Sequence, residues 1–168
     1  MKILFLTNHL NSGGITSYVL SLGKGLKEIG HEVKIASRGG EKLNLLKTLG
    51  IEHFFLNLFT KSEISPKVFR AKRELLSILK QEKFDLLHAQ TRLTRVIAQY
   101  VQNKLAIPFI STAHGFYKKR FAHRIFPCWG EGIIAVSKAV EKHLKDNLGL
   151  SGMRIKVIYN GIETIDLK

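Results

Sequence analysis

Seven short runs rich in apolar and β-branched residues lie near 2–7, 32–37, 51–56, 84–88, 108–113, 131–136 and 154–158, and the segments between them carry apolar residues at helical spacing. Strand-length runs that alternate with helices over a whole chain build βαβ units, because parallel neighbours need a crossover and a helix supplies it. The pattern predicts one doubly wound α/β domain over residues 1–160, with a Rossmann-like parallel sheet. In the first helical segment Ile15, Tyr18, Val19, Leu22, Leu26 and Ile29 form one apolar stripe, and Gly30 provides a left-handed stop. A second helix opens at Ser65-Pro66, where serine can cap and proline fits the first turn. Its apolar arc is Val68, Phe69, Leu75, Leu76 and Leu79, with Lys67, Arg70, Arg73 and Lys80 on the other side. A third, at roughly 91–106, carries Leu93, Val96, Ile97, Tyr100, Val101 and Leu105 on its inner face.

A chain of 168 residues, 45% of them hydrophobic, can bury one substantial core. The one cysteine, Cys128, excludes an internal disulfide, and without a Cys/His cluster beside it a structural zinc site is not expected. The opening apolar run is cut by Thr7-Asn8-His9, too early for a signal peptide. No run approaches the roughly 18 apolar residues of a membrane span. These features lead us to expect a cytoplasmic protein, peripheral at most on the inner face of a membrane. The formal charge of +14, from 27 Lys and Arg against 13 Asp and Glu, favours anionic partners: phosphorylated substrates, acidic lipid or nucleic acid.

Ligands of doubly wound sheets bind beyond the carboxyl ends of the strands, where strand order reverses. The candidates are therefore the residues that follow each strand: His9 to Gly14, His88 to Arg92, His114 to Lys119, and Ser137-Lys138. In Asn11-Ser12-Gly13-Gly14-Ile15 a helix begins directly after the first strand, so free N–H groups and the positive helix end point towards a ligand. Glycine at 13 and 14 removes the Cβ that would hold an anion away. The plainer alternative is an ordinary strand-to-helix turn. No G-x-G-x-x-G occurs, no P-loop occurs, and the second strand ends in Ala36-Ser37-Arg38 where an NAD site would need an acid.

Thr112-Ala113-His114-Gly115 places His114 at a strand end, with Gly115 opening space beside it. A histidine there can donate, accept or carry charge near neutral pH, which makes His114 the candidate catalytic group; the alternative is a satisfied polar residue. His88 alternates with apolar neighbours and is expected inside, hydrogen bonded. Gln90, Thr91 and Arg92 are placed for substrate contact, as are Ser12 and Ser137. From Phe116 to Trp129 bases and aromatics interleave. That pattern suits an anionic membrane interface, a single-strand nucleic-acid groove, or an amphipathic helix packed on its own sheet. The packed helix leaves Lys118-Lys119-Arg120 unexplained, and the cluster is read here as a phosphate contact.

Taken in order, Gly13-Gly14, the helix end Leu26-Lys27-Glu28-Ile29-Gly30-His31-Glu32-Val33, Asp85-Leu86-Leu87-His88-Ala89, Ile107-Pro108, Thr112-Ala113-His114-Gly115, Ala135-Val136-Ser137 and Val157-Ile158-Tyr159-Asn160-Gly161-Ile162-Glu163 resemble the N-terminal half of glycosyltransferase family 4. These are retaining sugar transferases of the GT-B architecture. The resemblance implies a two-domain enzyme in which this half binds the acceptor and a second half holds most of a nucleotide diphosphate sugar. It implies that Gly13 and Gly14 meet the donor diphosphate or the acceptor, that His114 contacts the acceptor or the reacting sugar, and that Lys118 or Lys119 contacts acceptor anions. Many relatives carry a second histidine where this chain has Gln90. Asn160-Gly161-Ile162 resembles the crossover to the second domain, so 161–168 are expected to begin that crossover. The donor domain, with its paired glutamates, is then expected in cis or on a partner chain, and this chain is not expected to transfer sugar by itself.

With no Asp-x-Asp in the sequence, neither a metal nor a cofactor beyond the donor substrate is expected. The implied acceptor is a glycan or a lipid-linked molecule such as a lipopolysaccharide core, reached at an anionic membrane surface; nucleic acid is not expected as a partner. Two other readings compete: another GT-B enzyme, such as a sugar-nucleotide epimerase or an inverting transferase, and a stand-alone polyanion-binding module.

Overall fold

The computed structural model describes residues 1–59, 65–118 and 128–161. Its strands are β1 (Lys2–Leu6), β2 (Glu32–Ser37), β3 (Glu52–Phe55), β4 (Leu86–Ala89), β5 (Phe109–Ala113), β6 (Gly132–Ala135) and β7 (Ile155–Val157). They form one sheet in the order β3-β2-β1-β4-β5-β6-β7, and every neighbouring pair is parallel. Each coincides with one of the seven runs in the sequence. Among the described residues the helices are α1 (Gly14–Glu28), α2 (Leu43–Thr48), α3 (Pro66–Gln81), α4 (Arg92–Leu105) and α5 (Lys138–Asp146).

A parallel sheet covered on both faces must be apolar on both, and the strands obey. On β1, Leu4 and Leu6 pack with Leu75 and Val68 of α3 and Ile97 and Val101 of α4, whereas Phe5 packs with Val19 of α1 and Leu46 of α2. A third cluster sets Val140 and Leu144 of α5 against Ile133 and Ala135 of β6. Full burial of a Leu or Phe side chain of this kind contributes about 1.5 to 3 kcal/mol.

Local signals start and stop the helices as the sequence predicts. Ser65 accepts from the backbone N–H of Lys67 with Pro66 at the first turn, and Gly30 takes φ 87° just past α1. Two expectations fail, and the first is Ile29, which caps the end of α1 instead of packing in its stripe and is 71% exposed. Phe69, the second, is 58% exposed, because Val68, Ala71, Leu75 and Leu79 fill the buried stripe and a residue about 100° around the helix from Val68 lies outside it. The Lys72 ammonium lies over the Phe69 ring instead.

Charges segregate along the strand direction. At the amino ends, Lys2 pairs with Glu32 and Glu82, Lys34 pairs with Glu32, Glu52 and Glu82, and Asp85 accepts from the Lys2 backbone N–H. Hydrogen bonds from Lys2 and Lys34 hold the Glu82 carboxyl below its ordinary pKa, against the opposing effect of desolvation. At the carboxyl ends, Arg38, Lys42, Arg92, Lys118 and Lys138 stand in or beside the loops that follow β2, β4, β5 and β6, and Glu41 is the acid among them. No described helix is long and apolar enough to cross a membrane.

Candidate functional site

The strand order reverses between β1 and β4. From β1 the chain moves outward to β2 and β3, then returns to place β4 on the other side of β1. Their carboxyl ends therefore open a crevice, and the loops beside it are tied together. Thr91 donates its hydroxyl to Asn8 Oδ1 at 2.8 Å, joining the loops after β1 and β4, and Gln90 N–H donates to the Leu6 carbonyl. Thr91 also caps α4 in a reciprocal pair with Thr94, so its side chain has a structural duty at the crevice wall.

The loop after β1 is laced to the loop after β2. Thr7 N–H donates to the Ala36 carbonyl, Arg38 N–H to Asn8, Leu10 N–H to Gly39, and Lys42 N–H to Leu10. These bonds extend strand pairing beyond the sheet and fix where Gly13 and Gly14 emerge. At that point α1 begins with no side-chain cap, and its first backbone bond runs from Ser17 N–H to the Gly13 carbonyl. The amide groups of the first turn are left to solvent or ligand. A Cβ built on Gly13, Gly14 or Gly115 would meet nothing within 4 Å. Gly13 takes φ 157°, which itself favours glycine, and among the described residues the space above Gly14 and Gly115 leaves room for a ligand.

Ser12 has a partner that the sequence does not advertise. Glu41 accepts from its backbone N–H at 3.2 Å and from its hydroxyl at 2.8 Å, and these bonds hold the Glu41 carboxyl below its ordinary pKa. A carboxylate thus lies one residue before the glycines.

On the other wall His114 follows β5, with its Nε2 2.9 Å from Gln90 Oε1 and its ring edge-on to Tyr18 at 4.9 Å between centroids. Tyr18, expected only as part of the packed stripe of α1, reaches the site: its hydroxyl lies 3.1 Å from Thr112 Oγ1. The same Thr112 oxygen is 2.7 Å from Nε2 of His88, which is 3% exposed and so is the interior residue its alternation predicts. Burial pushes the His88 pKa down to about 3, with the His114 charge acting in the same direction, and burial pushes His114 down to about 4. Both rings are neutral at pH 7.

The remaining candidates scatter. Arg92 is the first residue of α4 and half-buried; Lys118 is exposed; Ser137 caps α5 by accepting from Val140 N–H. Lys119 lies outside the described residues, as do Arg120 and the run from Phe121 to Phe126, and also residues 162–168 of the expected crossover. Trp129 is a core residue, and beneath it the guanidinium of Arg95, itself 1% exposed, lies 3.4 Å from the ring centroid, with Tyr117 at 5.1 Å. A buried arginine held between aromatic faces could not be foreseen, since its partners stand more than 20 residues away. Among the described residues no group of three or more His, Cys, Asp or Glu could hold a metal ion.

An all-parallel Rossmann-like sheet with its crevice between β1 and β4 and an open glycine turn on α1 defines one half of a GT-B glycosyltransferase. The chain belongs to glycosyltransferase family 4, whose model matches residues 12–165. No curated protein sequence matches it. Among solved structures, it is similar to a glycosyltransferase from Rickettsia africae (TM-score 0.75, 22% identity, covering 96% of this chain and 44% of that one). It is similar also to HepE of Anabaena, solved with UDP and glucose (0.74, 20%, 97% and 45%). A third is the MurG protein of Acinetobacter baumannii (0.70, 15%, 100% and 48%). The chain spans less than half the length of these structures.

Proposed function

We propose that this chain is the acceptor-side domain of a retaining glycosyltransferase that moves a sugar from a nucleotide diphosphate sugar to a hydroxyl of a glycan or lipid-linked acceptor. The observation that carries the reading is the uncapped, glycine-opened start of α1 beside the strand-order reversal, with Tyr18 of the same helix packed on the neutral His114 ring. The open amides suit the donor diphosphate or an acceptor phosphate, and His114 suits the acceptor or the reacting sugar. The UDP and glucose in the Anabaena structure make UDP-glucose the first donor to try.

Among the described residues the carboxylates at or beside the carboxyl edge are tied to partners rather than presented as nucleophiles: Glu41 to Ser12, Glu74 to Asn57 N–H and Arg70, and Glu141 to Lys145. This supports front-face displacement, in which the acceptor oxygen attacks the anomeric carbon on the side the diphosphate leaves and the diphosphate takes the hydroxyl proton. The protein then contributes positioning and charge stabilisation. A metal is not needed on this reading. The domain that completes the donor pocket is supplied in cis or by a partner chain, and this chain alone is expected to show no turnover.

In the complete enzyme His114→Ala should lower kcat/KM for transfer by about 100-fold or more while donor affinity stays within a few-fold. In this chain, UDP-glucose should shift the amide resonances of Gly13 and Gly14 and the His114 ring, and an oligonucleotide should not. Equal shifts with both ligands would favour the polyanion-binding module.

The acceptor is proposed to sit at an anionic membrane. Exposed Phe69 stands among Lys67, Arg70, Lys72 and Arg73 on α3, with Phe55 and Phe59 also exposed. Co-sedimentation should be stronger with vesicles containing anionic lipid than with neutral ones, and Phe69→Ser should weaken it at unchanged charge. Equal sedimentation with both vesicle types would rule this surface out.

A further inference from the structure

Gln90 is 1% exposed, and its amide is committed at both ends: Nε2 lies 3.3 Å from the His88 carbonyl oxygen and Oε1 lies 2.9 Å from His114 Nε2. Chemistry fixes which end is which. A backbone carbonyl can only accept, so the amide group facing His88 must be the NH2; the end facing His114 is then the oxygen, which can also only accept. The proton between Gln90 and His114 therefore belongs to His114 Nε2. In a neutral imidazole the other nitrogen, Nδ1, is then a lone-pair acceptor, and no described residue hydrogen bonds it.

We infer that Gln90 is a positioning residue that holds His114 as the Nε2–H tautomer, so that the atom His114 offers a ligand is an acceptor and the group it takes is a hydroxyl rather than a phosphate or carboxylate. Gln90 thereby acts through His114 and does not itself touch substrate, in contrast to the role its position after β4 suggests. The ligand class follows from the lone pair: a fully ionised phosphate oxygen has no hydrogen to give, and two acceptors repel. The anion then belongs at the amides of Gly14 to Thr16, and a sugar hydroxyl at His114. This division rests on the transferase reading only in calling the hydroxyl a sugar's; the tautomer stands without it.

The surroundings keep the lone pair in place. The groups packed on the ring are Tyr18 from α1 and Gln90 after β4, with His88 of β4 beyond Tyr18. No described carboxylate hydrogen bonds the ring, and burial opposes the second proton, so Nδ1 stays unprotonated at neutral pH. Tyr18 meets the ring edge-on, and its hydroxyl is turned to Thr112.

The test is the two-bond 1H–15N spectrum of the histidine-labelled chain at pH 7. His114 should show a pyridine-type Nδ1 and a pyrrole-type Nε2. In Gln90→Leu the signature should move to a mixture of tautomers. In Gln90→Glu the added carboxylate should raise the His114 pKa by more than one unit, with Nε2 keeping its hydrogen and the single added proton going to Nδ1 on titration. An Nδ1–H tautomer in the parent chain, or an unchanged signature in both variants, overturns the assignment. Inorganic sulfate, which has no hydrogen to give at pH 7, overturns the ligand class if it shifts the Nδ1 resonance at constant pH. If the tautomer is as inferred while UDP-glucose leaves Gly13, Gly14 and His114 unmoved in the complete enzyme, the transferase reading fails and the role of Gln90 remains.

Discussion

Gly40→Ala should destabilise the chain by about 3 kcal/mol or more and remove ligand response at the glycine turn. Gly40 has φ 151°, a conformation that costs a side chain on the order of 1 to 3 kcal/mol. Its Cβ would also stand 2.5 Å from the Leu10 carbonyl carbon and 2.7 Å from the Asn11 amide nitrogen. Both are backbone atoms of the loop that delivers Gly13 and Gly14, so the overlap cannot be relieved by turning a side chain. Overpacking of this sort adds about 1 to 3 kcal/mol. The loop would have to move, and with it the bonds from Leu10 to Gly39 and from Lys42 to Leu10. Gly25→Ala makes the comparison sharp: it lies inside α1 with open space around it and no positive φ, so alanine should be neutral or stabilise by up to about 1 kcal/mol. Urea unfolding of the three proteins checks both. A Gly40→Ala protein within about 1 kcal/mol of the parent would mean that the two loops are not locked together.

Gly40 also marks the limit of what the sequence can reveal. The strands were legible because buried parallel strands are near-continuous apolar runs, and Leu4, Phe5 and Leu6 need no partner to be recognised as such. The helices were legible from spacing and punctuation, as Ser65-Pro66 and Gly30 show. The general site was legible too, since topology sends ligands to the carboxyl ends of the strands and His114 and Gly13-Gly14 lie there. What escaped are relations between residues distant in sequence. Gln90 and His114 are 24 positions apart and meet because β4 pairs with β5; Ser12 and Glu41 are 29 apart and meet because the loops after β1 and β2 lie side by side. Phe69 failed for a related reason: periodicity gives the direction of a helix face but not how wide the packed stripe is.

Two walls of the crevice thus have different chemistry. The α1 wall offers amide hydrogens and positive helix-end potential, with the Glu41 carboxylate held on Ser12 at its edge, and the β5 wall offers a neutral imidazole. The basic residues beyond the strand ends add a field that favours an anion on the first wall without placing a cation against the second. A nucleotide diphosphate sugar, with its charge on the phosphates and hydroxyls on the sugar, is divided in the same way.

Keeping the histidines neutral has a cost that acid should expose. His88, at about 3, and His114, at about 4, titrate below the ordinary histidine value near 6.5 that the unfolded chain will have, and burial lowers His53 in the same direction. Below pH 6.5 the unfolded state binds protons that the folded state refuses, so stability must fall as pH falls. Each such histidine contributes at most about 1.4 kcal/mol per pH unit, so His88 alone should remove roughly 2 to 3 kcal/mol between pH 6.5 and 4.5. His114 is partly exposed and adds a smaller share. The lowered carboxyls of Glu41 and Glu82 add most of their loss below about pH 4.5, where unfolded carboxylates are half protonated, so the larger part of the fall above it belongs to the histidines. The urea midpoint should slide steadily across this window, and His88→Gln, whatever it does to stability at pH 7, should flatten the slope. A parent protein equally stable at pH 6.5 and 4.5 would show that His88 accepts a proton without unfolding, and that the interior around Thr112 and Tyr18 can take a charge the structure gives it no means to hold.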